Sequence, residues 1–366
     1  MVTSDLINQF RDRVNKNNFV LNTYYNIGGK NLWNCICSAM DWITVAVDYL
    51  SSKNENYFRN MHTLSMDLFT YISSVDIIFE SVKQLHRVFC NNKTIPFENA
   101  KGLFKNNKYC KDDNTYFKLI RACFGEHSVN LNDFFSGFEK EKRFASWSFG
   151  ISYNGEFSVA LYSNIPDVET IFMTIYIEEI DMFLEKTYLY LENLIDAINT
   201  HEKKFVLKFQ QQKIAIEYDA LKQIEILKQE NDRRYKNDYY NEILDYLSLV
   251  FSTNISSADN LPIVNRYQKN TESVIKELYD AIQNMELREI QTYRSLKKII
   301  NVETSYSIRK ALIELETEIL DGNKMMIYIS NLVKYIKPYV SLHGNESSKE
   351  IYLLAHSVLY FKSLES

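Results

Sequence analysis

The sequence predicts a mainly α fold: a helical bundle with one inserted β-hairpin at about 147–163 and a long coiled-coil-like helix. Three observations carry this expectation. The 366 residues include only 9 Gly and 4 Pro, so chain punctuation is sparse and helices should run long. Apolar residues recur at spacings of three and four along most of the chain. The one clear exception is a pair of alternating aromatic and β-branched runs flanking Asn154-Gly155, a pair suited to a turn that needs positive φ twice. A composition of 46% hydrophobic and 24% charged residues supports a substantial core.

Taken in order, Ser4 is a good N-cap for a first helix to about Asn17, with Leu6, Phe10 and Val14 on one face. Gly28 and Gly29 mark a turn. A second helix over 31–50 carries Trp33, Cys37, Met40 and Val47 as its stripe, and a third over 57–89 carries Leu64, Leu68, Ile72, Val75, Phe79 and Val82. These two form a helical hairpin that must bury its stripe against further helices. A connector follows at 96–107. Asp112, Asp113 and Asn114 then offer caps for a helix on which Tyr116, Leu119, Ile120 and Cys123 face the core and Arg121 another side. Gly125 suits the left-handed residue that ends a helix.

The stretch 128–146 reads as a charged loop, and strands are expected at 147–153 and 156–162. From Pro166 to Arg234 there is no further Gly or Pro, which predicts one helical tract. Within it Met173, Ile177, Ile180, Leu184, Thr187, Leu191, Leu194 and Ile198 follow a heptad. A continuous helix of that length would be roughly 100 Å long. It therefore links two lobes, pairs with a second copy, or is broken near 208–212. A polar linker at 252–261 precedes amphipathic helices at 270–302, 305–339 (interrupted near Gly322) and 347–366. The expected division is a helical domain at 1–165, a helical connector at 166–252 and a C-terminal helical bundle at 253–366.

Bulk properties narrow the function. A net charge of -5 gives no general attraction to nucleic acid or to an anionic membrane, so any RNA contact needs a local basic patch. Five cysteines, all at or before Cys123, make a poor disulfide framework and are expected as free thiols. Cys35 and Cys37 lack downstream ligands at finger-like spacing, which argues against zinc. The N-terminus has no apolar core of signal type, and no run approaches the roughly 18 apolar residues of a membrane span. A soluble, cytoplasmic chain is expected, with no cofactor and no metal.

Phosphate loops, GxSxG and HExxH are all absent. Of the six histidines, His62, His86 and His356 lie on helices as core-edge or surface residues, His201 interrupts the heptad stripe, and His343 sits in a polar loop. That leaves Arg121 and His127. Six residues on an unbroken helix correspond to about 600° of rotation, so the two share a face only if the chain breaks at Gly125. An arginine beside a histidine suits phosphodiester cleavage: guanidinium holds the phosphate, and imidazole moves a proton near neutral pH. The plainer reading is a helix-end arginine in an ion pair and a loop histidine.

The segment IRACFGEHSVN, with five residues between Arg121 and His127 after two long helices, resembles the HEPN superfamily of ribonucleases from toxin-antitoxin, abortive-infection and CRISPR-associated systems. FASWSFG and SYNGEFSVALYSN downstream are similar to larger bacterial members, and the resemblance covers about the first 165 residues. It implies a homodimer whose paired Arg and His cut RNA without metal, with Arg121 binding phosphate and His127 as general acid/base. A regulatory partner protein and a role in phage defence are implied in the same way. The family often places Asn, Asp or His after the arginine. Here that residue is Ala122, so Glu126 or Asn130 is the expected partner orienting His127. Lys140, Lys142 and Arg143 beside the motif, and Lys203, Lys204, Lys208 and Lys213 further on, are the basic residues available for an RNA path. The competing expectation is a non-enzymatic scaffold that oligomerises through the heptad run.

Overall fold

The computed structural model describes residues 2–52, 63–90, 93–107, 110–124, 142–147, 156–302, 305–321 and 328–365. It is mostly helical, with one small three-stranded antiparallel sheet in the order β1-β2-β3. The chain divides into two compact units, Met1–Glu202 and Lys203–Ser366. The division falls inside a helix, in place of boundaries at 165 and 252, because both the sheet and the front of that helix are packed into the first core.

In the first unit, α1 (Ser4–Asn15) begins one residue after Thr3, so Ser4 is its first helical residue. Asn17 and Asn18 both take positive φ, which ends α1 and admits a short α2 (Phe19–Tyr24) that periodicity did not predict. Gly28 and Gly29, at φ 58° and 79°, make the turn closed by the Ile27–Lys30 bridge. The hairpin of α3 (Leu32–Ser51) and α4 (Leu64–Phe89) forms as expected, although residues 57–62 of the expected third helix lie outside the described residues.

Next, α5 (Asp113–Phe124) is fixed at its front end by three consecutive polar residues. Asp112 accepts from the Thr115 N–H at 2.8 Å, the Thr115 hydroxyl at 2.6 Å and the Asn99 N–H at 3.3 Å. Asp113 accepts from the Leu103 N–H, and Asn114 donates to the Pro96 carbonyl. The 93–107 connector is thereby stitched to the first turn of α5. Burial would raise the Asp112 carboxyl, but the Thr115 and Asn99 hydrogen bonds outweigh it and hold the group low.

Strands β1 (Arg143–Trp147), β2 (Glu156–Ser163) and β3 (Ile171–Tyr176) follow. Trp147 lies opposite Val159. An unbroken two-residue turn at 154–155 would instead place it opposite Tyr162; those turn residues lie outside the described residues. β3 replaces the beginning of the expected helical tract: Phe172, Met173, Thr174 and Ile175 pair with β2, and Met173 and Ile175 are buried on one face. A segment holding Ile171, Thr174 and Ile175 joins the ladder at the edge of β2, and tertiary pairing overrides the helical spacing.

α6 (Ile177–Gln211) is the long helix. Its stripe of Ile180, Leu184, Thr187, Leu191, Leu194 and Ile198 is buried within this chain, so the heptad is consumed by intramolecular packing. Phe183 stacks on Phe117 of α5 at 4.5 Å between ring centroids and meets Phe79 of α4 at 5.2 Å. The Tyr188 hydroxyl donates to the Thr3 carbonyl and accepts the Ile7 N–H, tying α6 to the start of α1.

The helix ends at Gln211, and residues 212–219 separate it from α7 (Ala220–Arg234), so the tract is broken just beyond the register weakness near 208–212. The second unit continues through α8 (Asn241–Ser252), α9 (Leu261–Gln283), α10 (Gln291–Val302), α11 (Tyr306–Asp321), α12 (Ile329–Ile336) and α13 (Ser348–Glu365). α9 starts at Leu261 with Pro262 in its first turn, where proline has no hydrogen bond to lose, so the expected linker is shorter than its polar composition suggests. α13 departs most from expectation. Residues 352–359 are buried on every side, and this segment is a core helix in place of an amphipathic surface one.

Candidate functional site

Arg121 occupies the last turn of α5, held there by the cap at Asp112 and by an inner face of Tyr116, Phe117, Leu119, Ile120 and Cys123, all buried as their spacing requires. Its guanidinium Nη1 lies 3.2 Å from Asp76 Oδ2 on α4. The arginine side chain is 39% exposed and the aspartate 13%. Burial raises the Asp76 carboxyl, and the Arg121 charge pulls it back down. A largely desolvated carboxylate therefore fixes the direction of a guanidinium that still reaches solvent.

Asp76 is the residue that sequence reasoning missed. It sits in a turn otherwise made of Val75, Ile77 and Ile78, and a carboxylate among such neighbours is the signal that could have found it. It begins a charged line on α4 of Asp76, Glu80, Lys83 and Arg87, spaced by four, three and four so that all four fall on one side of the helix. Lys83 is buried, bonded to Glu80 at 2.5 Å, and burial lowers its ammonium pKa. Lys118 on α5 lies close enough to act electrostatically on both Asp76 and Lys83.

Glu126, His127, Asn130 and Lys140 lie outside the described residues, as does Gly125. Lys142 is exposed just before β1, its N–H donating to Asn164 Oδ1 at 2.6 Å. Arg143 corrects an expectation: it is buried, and its guanidinium donates to the Leu161 and Glu169 carbonyls at 3.1 Å each. This buried side chain fastens the sheet to the loop before β3 and does not face an RNA path. Lys203, Lys204, Lys208 and Lys213 are exposed.

Three other histidines are accounted for by packing. His86 is buried with Nδ1 at 2.8 Å from the Tyr190 hydroxyl and Nε2 at 2.9 Å from the Thr94 hydroxyl, and burial lowers its pKa. His201 meets the Tyr24 hydroxyl at 2.9 Å. His356 is buried between the rings of Tyr246 and Tyr352. All five cysteines are free thiols, and burial, reinforced by Cys110, pushes Cys123 up to about 12, far from a nucleophilic thiolate. Among the described residues no group of three or more His, Cys, Asp or Glu could hold a metal ion, and no helix is long and apolar enough to cross a membrane. Compared with protein families, curated proteins and solved structures, the chain matches none.

Proposed function

We propose that this protein is a metal-independent endoribonuclease of HEPN type, acting as a homodimer in antiphage defence, with Arg121 binding the scissile phosphate and His127 transferring protons. The observation that carries the reading is Arg121 itself: a guanidinium in the last turn of α5, six positions before His127, oriented by a largely desolvated carboxylate and open to solvent. An arginine pre-set in this way loses little freedom on meeting phosphate and can stabilise charge developing on its oxygens. In this reading Glu126 or Asn130 orients the imidazole, and Asp76 joins the site as the positioning residue for Arg121.

The second reading is a non-catalytic scaffold. It is favoured by the same ion pair, since an arginine already paired with Asp76 needs no substrate, and by the burial of Arg143. The oligomerisation argument loses its original basis, because the heptad stripe is covered by the chain's own core.

Purified protein incubated with total RNA separates the two. Cleavage is expected for the wild type and is expected to fall by at least about a hundredfold in His127→Ala, the scale of a lost general acid/base. Asp76→Asn should lower the rate at saturating RNA, while Arg121→Lys should not restore Arg121→Ala, since an ammonium lacks the fork. RNA left intact by the wild type, or cut equally by His127→Ala, gives the scaffold reading.

A further inference from the structure

The second unit carries a surface that the ribonuclease reading does not use. Three segments meet there: the start of α9, the end of α12 with the residues after it, and the last turns of α13, which packs against both. In a chain with 47 acidic residues out of 366, none falls within 261–271, 328–345 or 351–364, yet these runs hold Arg266, Lys269, Lys334, Lys337 and Lys362. Of the carboxylates that flank the runs, Asp259 accepts from the Ser341 hydroxyl, Glu350 from Ser256 and Glu346 from the Gly344 N–H, while Glu272 is exposed one residue beyond the first run.

The cations are interleaved with aromatic rings. The Arg266 guanidinium lies 4.3 Å from the centre of the Phe361 ring. Lys362 Nζ sits 4.5 Å from the Tyr335 ring and 4.8 Å from that of Tyr339, which is 50% exposed. Between them opens a pocket of about 330 Å³, floored by the buried Val358 and Phe361 and edged by Pro262, Arg266, Tyr339 and Lys362. An apolar floor, an exposed ring and cations on the rim are the parts that hold an unpaired base by stacking and its phosphates by charge. A duplex presents no free base face to such a pocket, and a membrane surface has no use for one.

We infer that this face, built on Arg266, Tyr339 and Lys362, is a binding site for single-stranded nucleic acid. The site stands on its own residues and does not depend on Arg121 or His127.

Fluorescence anisotropy of labelled oligo-uridylate and oligo-thymidylate of about twelve nucleotides tests it. Full-length protein carrying His127→Ala keeps the RNA probe whole. Binding is expected to weaken steadily between about 50 and 200 mM salt, and to be stronger than for a duplex of equal length. Tyr339→Ala should weaken it about tenfold and Tyr339→Phe by less than about twofold, since stacking needs the ring and not the hydroxyl. Arg266→Glu with Lys362→Glu should abolish it with the helical content unchanged. The RNA and DNA arms identify the natural ligand. The inference is overturned if neither oligonucleotide binds, if Tyr339→Ala and Tyr339→Phe behave alike, or if phosphatidylserine vesicles bind and oligonucleotides do not. Failure of RNA cleavage by the wild type would remove the ribonuclease reading and leave this site standing.

Discussion

At the scale of single residues, burial decides what each ionisable group can do. Tyr352 and Tyr246 enclose His356, and burial, with a smaller contribution from Lys297, lowers its pKa to about 3. The unfolded chain protonates the same imidazole near 6.5, so between these values only the unfolded state binds the proton, and stability must fall as pH drops below about 6.5. From pH 7 to pH 5 this one group should cost about 2 kcal/mol. Urea titrations at the two pH values should show that loss in the wild type and a loss smaller by that amount in His356→Leu. Equal losses would mean that the imidazole titrates normally in the fold. Arg121 is the contrasting case: its side chain is 39% exposed and paired with Asp76, where His86 and His356 are buried.

At the scale of elements, the break after α6 is held by Arg234 of α7. Its side chain is wholly buried, donating to the Phe209 carbonyl at 2.9 Å, the Gln212 carbonyl at 2.7 Å and Glu230 at 2.7 Å. The carbonyls left over at the end of α6 thus find a partner that water cannot reach. Arg234→Met should cost about 1–3 kcal/mol, because it takes the donor from the Gln212 carbonyl and leaves Glu230 with Arg233 as its remaining arginine. Arg234→Lys should recover little, since one ammonium cannot span acceptors that a fork reaches together. Thermal melts of the three proteins followed by far-ultraviolet dichroism give the comparison, and a lysine variant as stable as the wild type would refute the account.

At the scale of the whole molecule, two units each enclose their own core, so unfolding is expected to depart from a single two-state transition. The chain provides a natural reporter. All three tryptophans, Trp33, Trp42 and Trp147, lie in residues 1–202, so their fluorescence follows the first unit while helical dichroism follows both. Arg234→Met should shift the dichroism transition and leave the fluorescence midpoint within about 0.2 M urea of the wild type, given slopes of a few kcal/mol per molar. Coincident shifts in both signals would mean that the units unfold as one.

The sequence by itself determined the helical character, the α3–α4 hairpin, the buried face of α5 and its cap at Asp112, because these depend on neighbours three or four residues away and on short side-chain reach. It also singled out Arg121, but could not supply Asp76, which lies 45 positions earlier and becomes a partner only when α4 and α5 pack. Only tertiary structure decided that 171–176 is a strand, that the heptad of α6 is spent on its own core, that α13 is buried on every side, and that Arg143 points inward. The tertiary environment likewise gathered Arg266, Tyr339 and Lys362 into one pocket from three separated segments. Local spacing records which side of an element is apolar. What that side meets depends on the rest of the chain, and so does whether a charge there is paired, buried or left facing water.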